Sequence, residues 1–410
     1  MPSRLRALLA LTIAAAVLVP ATARAGPSPT LPANDPFYKA PAALGASPDG
    51  AILRTRQVKV ALAGGVPLAG ALAYQLLYRT NDGHGRAVAN VTTVIVPAGP
   101  RPARGRKLVS LQDAEDSLTS NCAPSYQLRI GERNNDDMLV ELNATAPDLV
   151  TAGRVMVIPD PEGPQSEVFV RTAEARAVLD SIRAVEHFDP AQLSGTTTPV
   201  GLVGYSGGGN ETLATAELQH SYAPELNVVG VAAGGAFVND RVADEYVDST
   251  EPGVVMVAMI GLERAMPDLG WSKLLNTYGR GVAKVVEKGP ACVAPMSAPY
   301  RPIRAWSKVK DLLGVPAIAR AIAANAIGGR GPRMPTYIYV SGHDQLISPS
   351  EQDHLAARYC AAGTRLDYYR DPSRYPVSDH LAAAVAGFVT RALVYLNNRF
   401  AGRPAPDTCL

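Results

Sequence analysis

Residues 204–208 read Gly-Tyr-Ser-Gly-Gly, a G-x-S-x-G pattern in which a serine can sit on a sharp strand-to-helix turn with its hydroxyl exposed. The flanks supply that setting. "PVGLVGYS" is a short apolar run suited to a buried strand, and "GGGNETLATAELQH" continues at helical spacing. Ser206 would then lie at a helix N-terminus, where free backbone N–H groups favour developing negative charge. A serine hydroxyl becomes a nucleophile only when a base takes its proton and an acid orients that base. Such a group performs acyl transfer, and the alternative is one more serine in a glycine-rich loop.

A base and an acid can be sought later in the chain, after strands that end on the same sheet edge. Asp344 closes the apolar run "PTYIYVSGHD" and precedes "QLISPS", a loop leading into a helix. A turn or helix-capping aspartate is the competing role at such a position. Asp367 and Asp371, on the last strand, are weaker candidates. Of six histidines, His84 falls in an early turn, His187 and His220 belong to helices near the serine, His343 adjoins the acid and His354 sits within a helix. Only His380, in "YPVSDHLAAA", follows the last strand and opens the final helix. A tetrahedral oxyanion also needs donors, one of them the N–H of Gly207 directly after the nucleophile and a second from the loop after an earlier strand. That loop is "LQDAEDSLTSNCAPSYQL", and it contains no HGGG run.

The elements that must hold these residues can be read from periodicity. "LRTRQVKVAL", "ALAYQLLYRT" and "AVANVTTVIVP" alternate as strands, with "NDGHG" as the turn between the second and third, so an antiparallel opening is expected. Short apolar runs then alternate with helical stretches, the pattern of a mostly parallel sheet covered on both faces. The runs are "KLVSLQ", "GRVMVIPD", "PVGLVGYS", "LNVVGVAAGG", "PTYIYVSGHD" and "RLDYYRDP". The alternation breaks between about Phe237 and Arg333, where "VVMVAMIGLERAMPDLGWSKLLNTYG" and "WSKVKDLLGVPAIARAIAANAIGG" read as amphipathic helix. Residues 238–333 are therefore expected to form a helical cap inserted into a core made of residues 26–237 and 334–410.

The chain has 410 residues, with 39 Lys and Arg against 37 Asp and Glu, so the bulk charge gives no pull toward nucleic acid or an anionic membrane. The opening "MPSRLRALLALTIAAAVLVPATARAG" places Arg4 and Arg6 before an apolar stretch from Ala7 to Val19 and then Ala23-Arg24-Ala25. These are the three regions of a secretory signal, with cleavage expected after Ala25. The stretch is shorter than the roughly 20 residues that span a bilayer, and no other segment is apolar enough, so the mature chain is expected to be secreted and without a transmembrane segment. Export puts Cys122, Cys292, Cys360 and Cys409 in an oxidising compartment, where an even count suggests two disulfides. No pair stands at C-x-x-C spacing, which disfavours metal. Of the three possible pairings, Cys360 with Cys409 is the most economical.

With these residues in view, the chain resembles the secretory lipase family of α/β-hydrolases, which includes fungal lipase A and many actinobacterial proteins. The resemblance runs through "DPFYKAP", "AEDSLTSNCAPSY", "IPDPEGP", "GYSGGG", "VAAGGAF", "SGHDQLISP", "DHLAAA" and "NNRFAGRPAPDTC". It implies an α/β-hydrolase fold with a helical lid over a serine triad, agreeing with Ser206, Asp344 and His380. By the same resemblance "AEDS" matches the family's oxyanion loop, so Asp116 would give the second donor through its backbone N–H. Asp116 as an ordinary loop residue is the alternative. The family's cysteine pattern implies Cys122 with Cys292 and Cys360 with Cys409. Pro161 departs from the pattern, a tyrosine being more usual there, which leaves pocket shape and chain-length preference outside the resemblance. The expected function is a secreted serine carboxylic-ester hydrolase acting on lipid esters, with the cap touching the lipid interface and no cofactor or metal. The alternatives are an acyltransferase using the same triad and a non-catalytic binding protein on the same fold.

Overall fold

The computed structural model describes residues 28–103, 105–130, 140–238, 248, 251–288, 292, 298, 300–376 and 378–409. The expected leader, residues 1–25, lies outside them. Nine strands form one sheet: β1 (Ile52–Val58), β2 (Ala71–Asn81), β3 (Ala87–Pro97), β4 (Leu108–Gln112), β5 (Val155–Pro159), β6 (Val200–Tyr205), β7 (Val228–Gly234), β8 (Thr336–Ser341) and β9 (Leu366–Asp371). Their spatial order is β1-β2-β3-β5-β4-β6-β7-β8-β9. The first three strands and the β3/β5 pair are antiparallel. Every pair from β5 onward is parallel.

β4, β5 and β6 are buried along their whole length, as the continuous apolar runs require of parallel strands covered on both faces. Successive side chains alternate between two helical layers. Leu202, Val231 and Ile338 pack beneath α3 (Arg171–Glu186), α4 (Gly207–Tyr222) and α9 (Pro349–Ala361), meeting Val178, Leu213 and Leu355. Their neighbours Val203, Ala232 and Tyr339 face the opposite layer, where α2 (Val140–Thr151) supplies Leu142 and α11 (Thr390–Phe400) supplies Leu396. Each fully buried leucine or isoleucine contributes about 1.5–3 kcal/mol of hydrophobic stabilisation.

The final helical run differs from the uniform helix expected for it. It opens as α10 (Asp379–Ala383), passes through a π-helical segment (Ala384–Val389) and resumes as α11. By length and composition Asp379–Phe400 could span a bilayer, yet Phe388, Ala392, Tyr395 and Leu396 are packed into the sheet core. It is among the described residues the single helix that meets that criterion. Two helices, α1 (Pro124–Ile130) and α2, occupy ground that the sequence did not mark as helical.

Between β7 and β8 the described residues contain no strand of the main sheet. They form α5 (Pro252–Ala265), α6 (Trp271–Leu274), α7 (Thr277–Lys288) and α8 (Pro316–Asn325) around an apolar cluster that includes Met256, Trp271, Trp306 and Ile318 and that they share with Leu118, Phe169 and Ile347 of the remaining chain. Helix in the second stretch is confined to Pro316–Asn325. Trp306 is buried instead at the end of a short 3-10 turn (Ile303–Ala305), and the next residue, Ser307, bridges to Leu275. Cys122, just before α1, is bonded to Cys292 in this insertion, and Cys360 on α9 to Cys409 in the tail.

Candidate active site

The turn between β6 and α4 holds Ser206 at φ 56°, ψ −125°, a left-handed conformation that costs of order 1–3 kcal/mol for a residue with a Cβ. Its N–H donates to the Gly234 carbonyl at 2.9 Å, and its carbonyl accepts from Asn210 at 3.0 Å. These bonds pin the turn from both sides. The pattern's first glycine has a direct cause, since a Cβ on Gly204 would collide with the Gly208 carbonyl.

The parallel register aligns the remaining parts. Gly204 pairs with Gln112 at the end of β4, so the loop carrying Asp116 begins beside the serine turn. On the other side Tyr205 pairs with Gly234 of β7, and β8, whose end is followed by Asp344, lies next to β7. His380 enters after β9, on the first turn of α10.

These placements bring the three sequence-derived residues together. His380 Nδ1 lies 2.7 Å from Asp344 Oδ2, and His380 Nε2 lies 2.9 Å from Ser206 Oγ. A carboxylate only accepts, so Nδ1–H donates to Asp344 and Nε2 is left to accept the serine hydroxyl. The other oxygen of Asp344 accepts from the backbone N–H groups of Leu346 and Ile347, each at 2.8 Å. Asp344 and His380 are buried, at 3% and 1% exposure, which keeps the pair out of competition with water.

Residues not singled out from the sequence hold the imidazole. The Tyr205 hydroxyl donates to the His380 carbonyl at 3.0 Å, and its ring lies 5.2 Å from the imidazole. Gln345 accepts the His380 backbone N–H at 3.0 Å and donates through its amide to Ser378 Oγ at 2.7 Å, while Ser378 caps α10. Their only sequence signal is adjacency, Tyr205 to the serine and Gln345 to the acid.

Asp116 stands at φ 40°, and its carboxyl packs against the Cα of Gly207, where a Cβ would collide with it. Burial raises this carboxyl to about 6, and the nearby His380 pulls the other way. Behind it lies a group of buried acids. Glu115, Glu162 and Glu211 are pushed well above the usual carboxylate range, first by burial and then by neighbouring carboxylates, Asp116 and Glu174 acting on all three. Glu174 is pushed up to about 8, first by burial and then by the charge of Asp116. Leu118, Phe237 and Ile347 share one apolar cluster with Met256 and Ile260 of α5, so an apolar surface adjoins the loops that carry the polar residues. Among the described residues no cluster of ligands suits a metal ion.

A mostly parallel sheet in this order, with a serine on a strained turn after a central strand and a hydrogen-bonded histidine after the last, defines an α/β-hydrolase. Comparison with known proteins narrows the class. The secretory lipase family model matches residues 138–408. A protein of Mycobacterium tuberculosis named as a probable inactive lipase is 33% identical over 92% of this chain and 84% of its own length. Lipase A of Arthroderma benhamiae is 30% identical over 93% of this chain and 82% of its own. The crystal structure of Candida antarctica lipase A in its closed state matches with a TM-score of 0.82 at 26% identity, covering 93% of this chain and 90% of that one. The chain belongs to the secretory lipase family and is a carboxylic-ester hydrolase.

Proposed function

We propose that the chain cleaves lipid esters through an acyl-enzyme on Ser206. Ser206 Oγ attacks the ester carbonyl carbon while His380 Nε2 takes its proton. The tetrahedral oxyanion is held by the N–H groups of Gly207 and Asp116. His380 then returns the proton to the leaving alcohol, and water repeats the sequence to release the acid. Asp344 keeps the imidazole in the required tautomer and stabilises its charged form. Residues 238–333 form the cap, and the apolar cluster between α5 and the loop ends receives the acyl chain. Export of the chain after loss of residues 1–25 fits the family and the two disulfides.

The observation that carries this reading is the unbroken hydrogen-bond chain from Ser206 through His380 to Asp344. The non-catalytic alternative draws on the name of the mycobacterial relative, and the same chain of bonds argues against it. Ser206→Ala is expected to abolish both p-nitrophenyl ester hydrolysis and fluorophosphonate labelling while the circular dichroism spectrum stays native. Turnover retained by that variant would remove Ser206 from the mechanism.

A further inference from the structure

The near-neutral charge of the whole chain hides a segregation. From Glu251 to Asn325 the sequence carries ten Lys and Arg against five Asp and Glu, while the rest of the chain is acidic on balance. Three of those acids are engaged locally. Glu263 accepts the Ser272 N–H at 3.1 Å, Asp311 accepts the Gly314 N–H at 2.9 Å, and Glu287 lies 3.9 Å from Arg264. The bases are arranged differently. On α7 the inner face buries Gly279, Val282 and Val286, and the outer face exposes Arg280, Lys284 and Lys288. Tyr278 and Val285, seven residues apart, run along one edge of that outer face at 38% and 52% exposure. Arg301 stands over the Tyr278 ring at 5.5 Å, and Lys308 donates to the Lys273 carbonyl just ahead of the helix. Among the described residues none of Lys273, Lys284, Lys288 and Arg301 stands in a salt bridge.

A basic face edged by an exposed tyrosine and valine suits a surface that is anionic at its headgroups and apolar just beneath. We propose that the outer face of α7 docks the enzyme on an anionic lipid surface. The charge complementarity selects that partner over a neutral lipid surface. The proposal rests on reading the chain as a lipid-ester hydrolase. α5, on which α7 packs, donates through Arg264 to the carbonyl of Leu118, two residues beyond Asp116, so docking on α7 would hold the cap and the oxyanion loop next to the lipid.

The test is co-sedimentation of the full chain, carrying Ser206→Ala to prevent lipid turnover, with two kinds of vesicle. One is phosphatidylcholine alone, and the other contains about one third phosphatidylglycerol. The chain is expected to partition onto the anionic vesicles and to be released by salt. Each basic residue near the surface is worth roughly a five-fold gain in binding, so Lys284→Gln with Lys288→Gln should weaken partitioning by roughly twenty- to thirty-fold. The same two substitutions in the otherwise native chain should leave hydrolysis of a soluble p-nitrophenyl ester unchanged. Equal binding to both vesicles, or undiminished binding by the doubly substituted chain, would overturn the docking alone. Absence of soluble-ester turnover in the native chain would instead sink the hydrolase reading on which it rests.

Discussion

Asp116 meets two demands at one position. Its backbone N–H is proposed to bind the oxyanion, while its carboxyl rests on Gly207, beside the place where that negative charge develops. An ionised carboxylate there opposes the oxyanion, and a neutral one does not. With the group titrating at about 6, kcat/KM for a soluble ester should step down with a midpoint near that value. Asp116→Asn keeps the backbone donor, and asparagine tolerates a positive φ. The variant should lose the fall near pH 6. A pH–rate profile identical to that of the native enzyme would show that the carboxyl does not bear on the oxyanion.

At the scale of elements, the site depends on two segments that approach each other only in the folded chain, the loop after β8 and the first turn of α10. Gln345 joins them, accepting from the His380 backbone and donating to the capping Ser378. Without it the imidazole is less well placed for the transition state, while substrate contacts are untouched. Gln345→Ala should therefore lower kcat by roughly ten- to a hundred-fold with KM changed less than about two-fold. Gln345→Glu, which retains the acceptor but not the donor, should fall between. A rise in KM at constant kcat would assign Gln345 to substrate binding instead. The contrast with Asp344 shows what local sequence can carry. All nine strand runs were legible because apolar runs bounded by turns recur in the chain, and Ser206, Asp344 and His380 followed from their place after particular strands. The insertion of β5 between β3 and β4, the π-segment in the last helix and the short turn at Trp306 follow from packing partners remote in sequence. α2 carries Pro147 in its interior, which reads locally as a helix breaker. Gln345 is one polar residue in a polar loop until the histidine arrives beside it.

At the scale of the whole molecule, the buried acids behind the oxyanion loop govern how stability responds to pH. Glu115, Glu162, Glu174 and Glu211 come from two loops and two helices, and each has one carboxyl oxygen that accepts no hydrogen bond among the described residues. Their carboxyls are raised in the folded chain, so between the ordinary value of about 4.5 and the raised one the native state holds protons that the unfolded state releases. Stability is then full below about 4.5 and is lost as pH rises through the folded values, reaching about 8 for Glu174. Asp35, Asp82 and Asp371 are lowered and work in the opposite sense only at more acid pH. The melting temperature should accordingly be several degrees higher near pH 5 than near pH 8. Glu174→Gln mimics the protonated carboxyl without the cost of ionising it. That variant should recover part of the loss at pH 8 and change little at pH 5, as measured by scanning calorimetry at the two values. A native melting temperature that rises from pH 5 to pH 8 would mean that these carboxyls are ionised in the folded chain and held by partners other than one another.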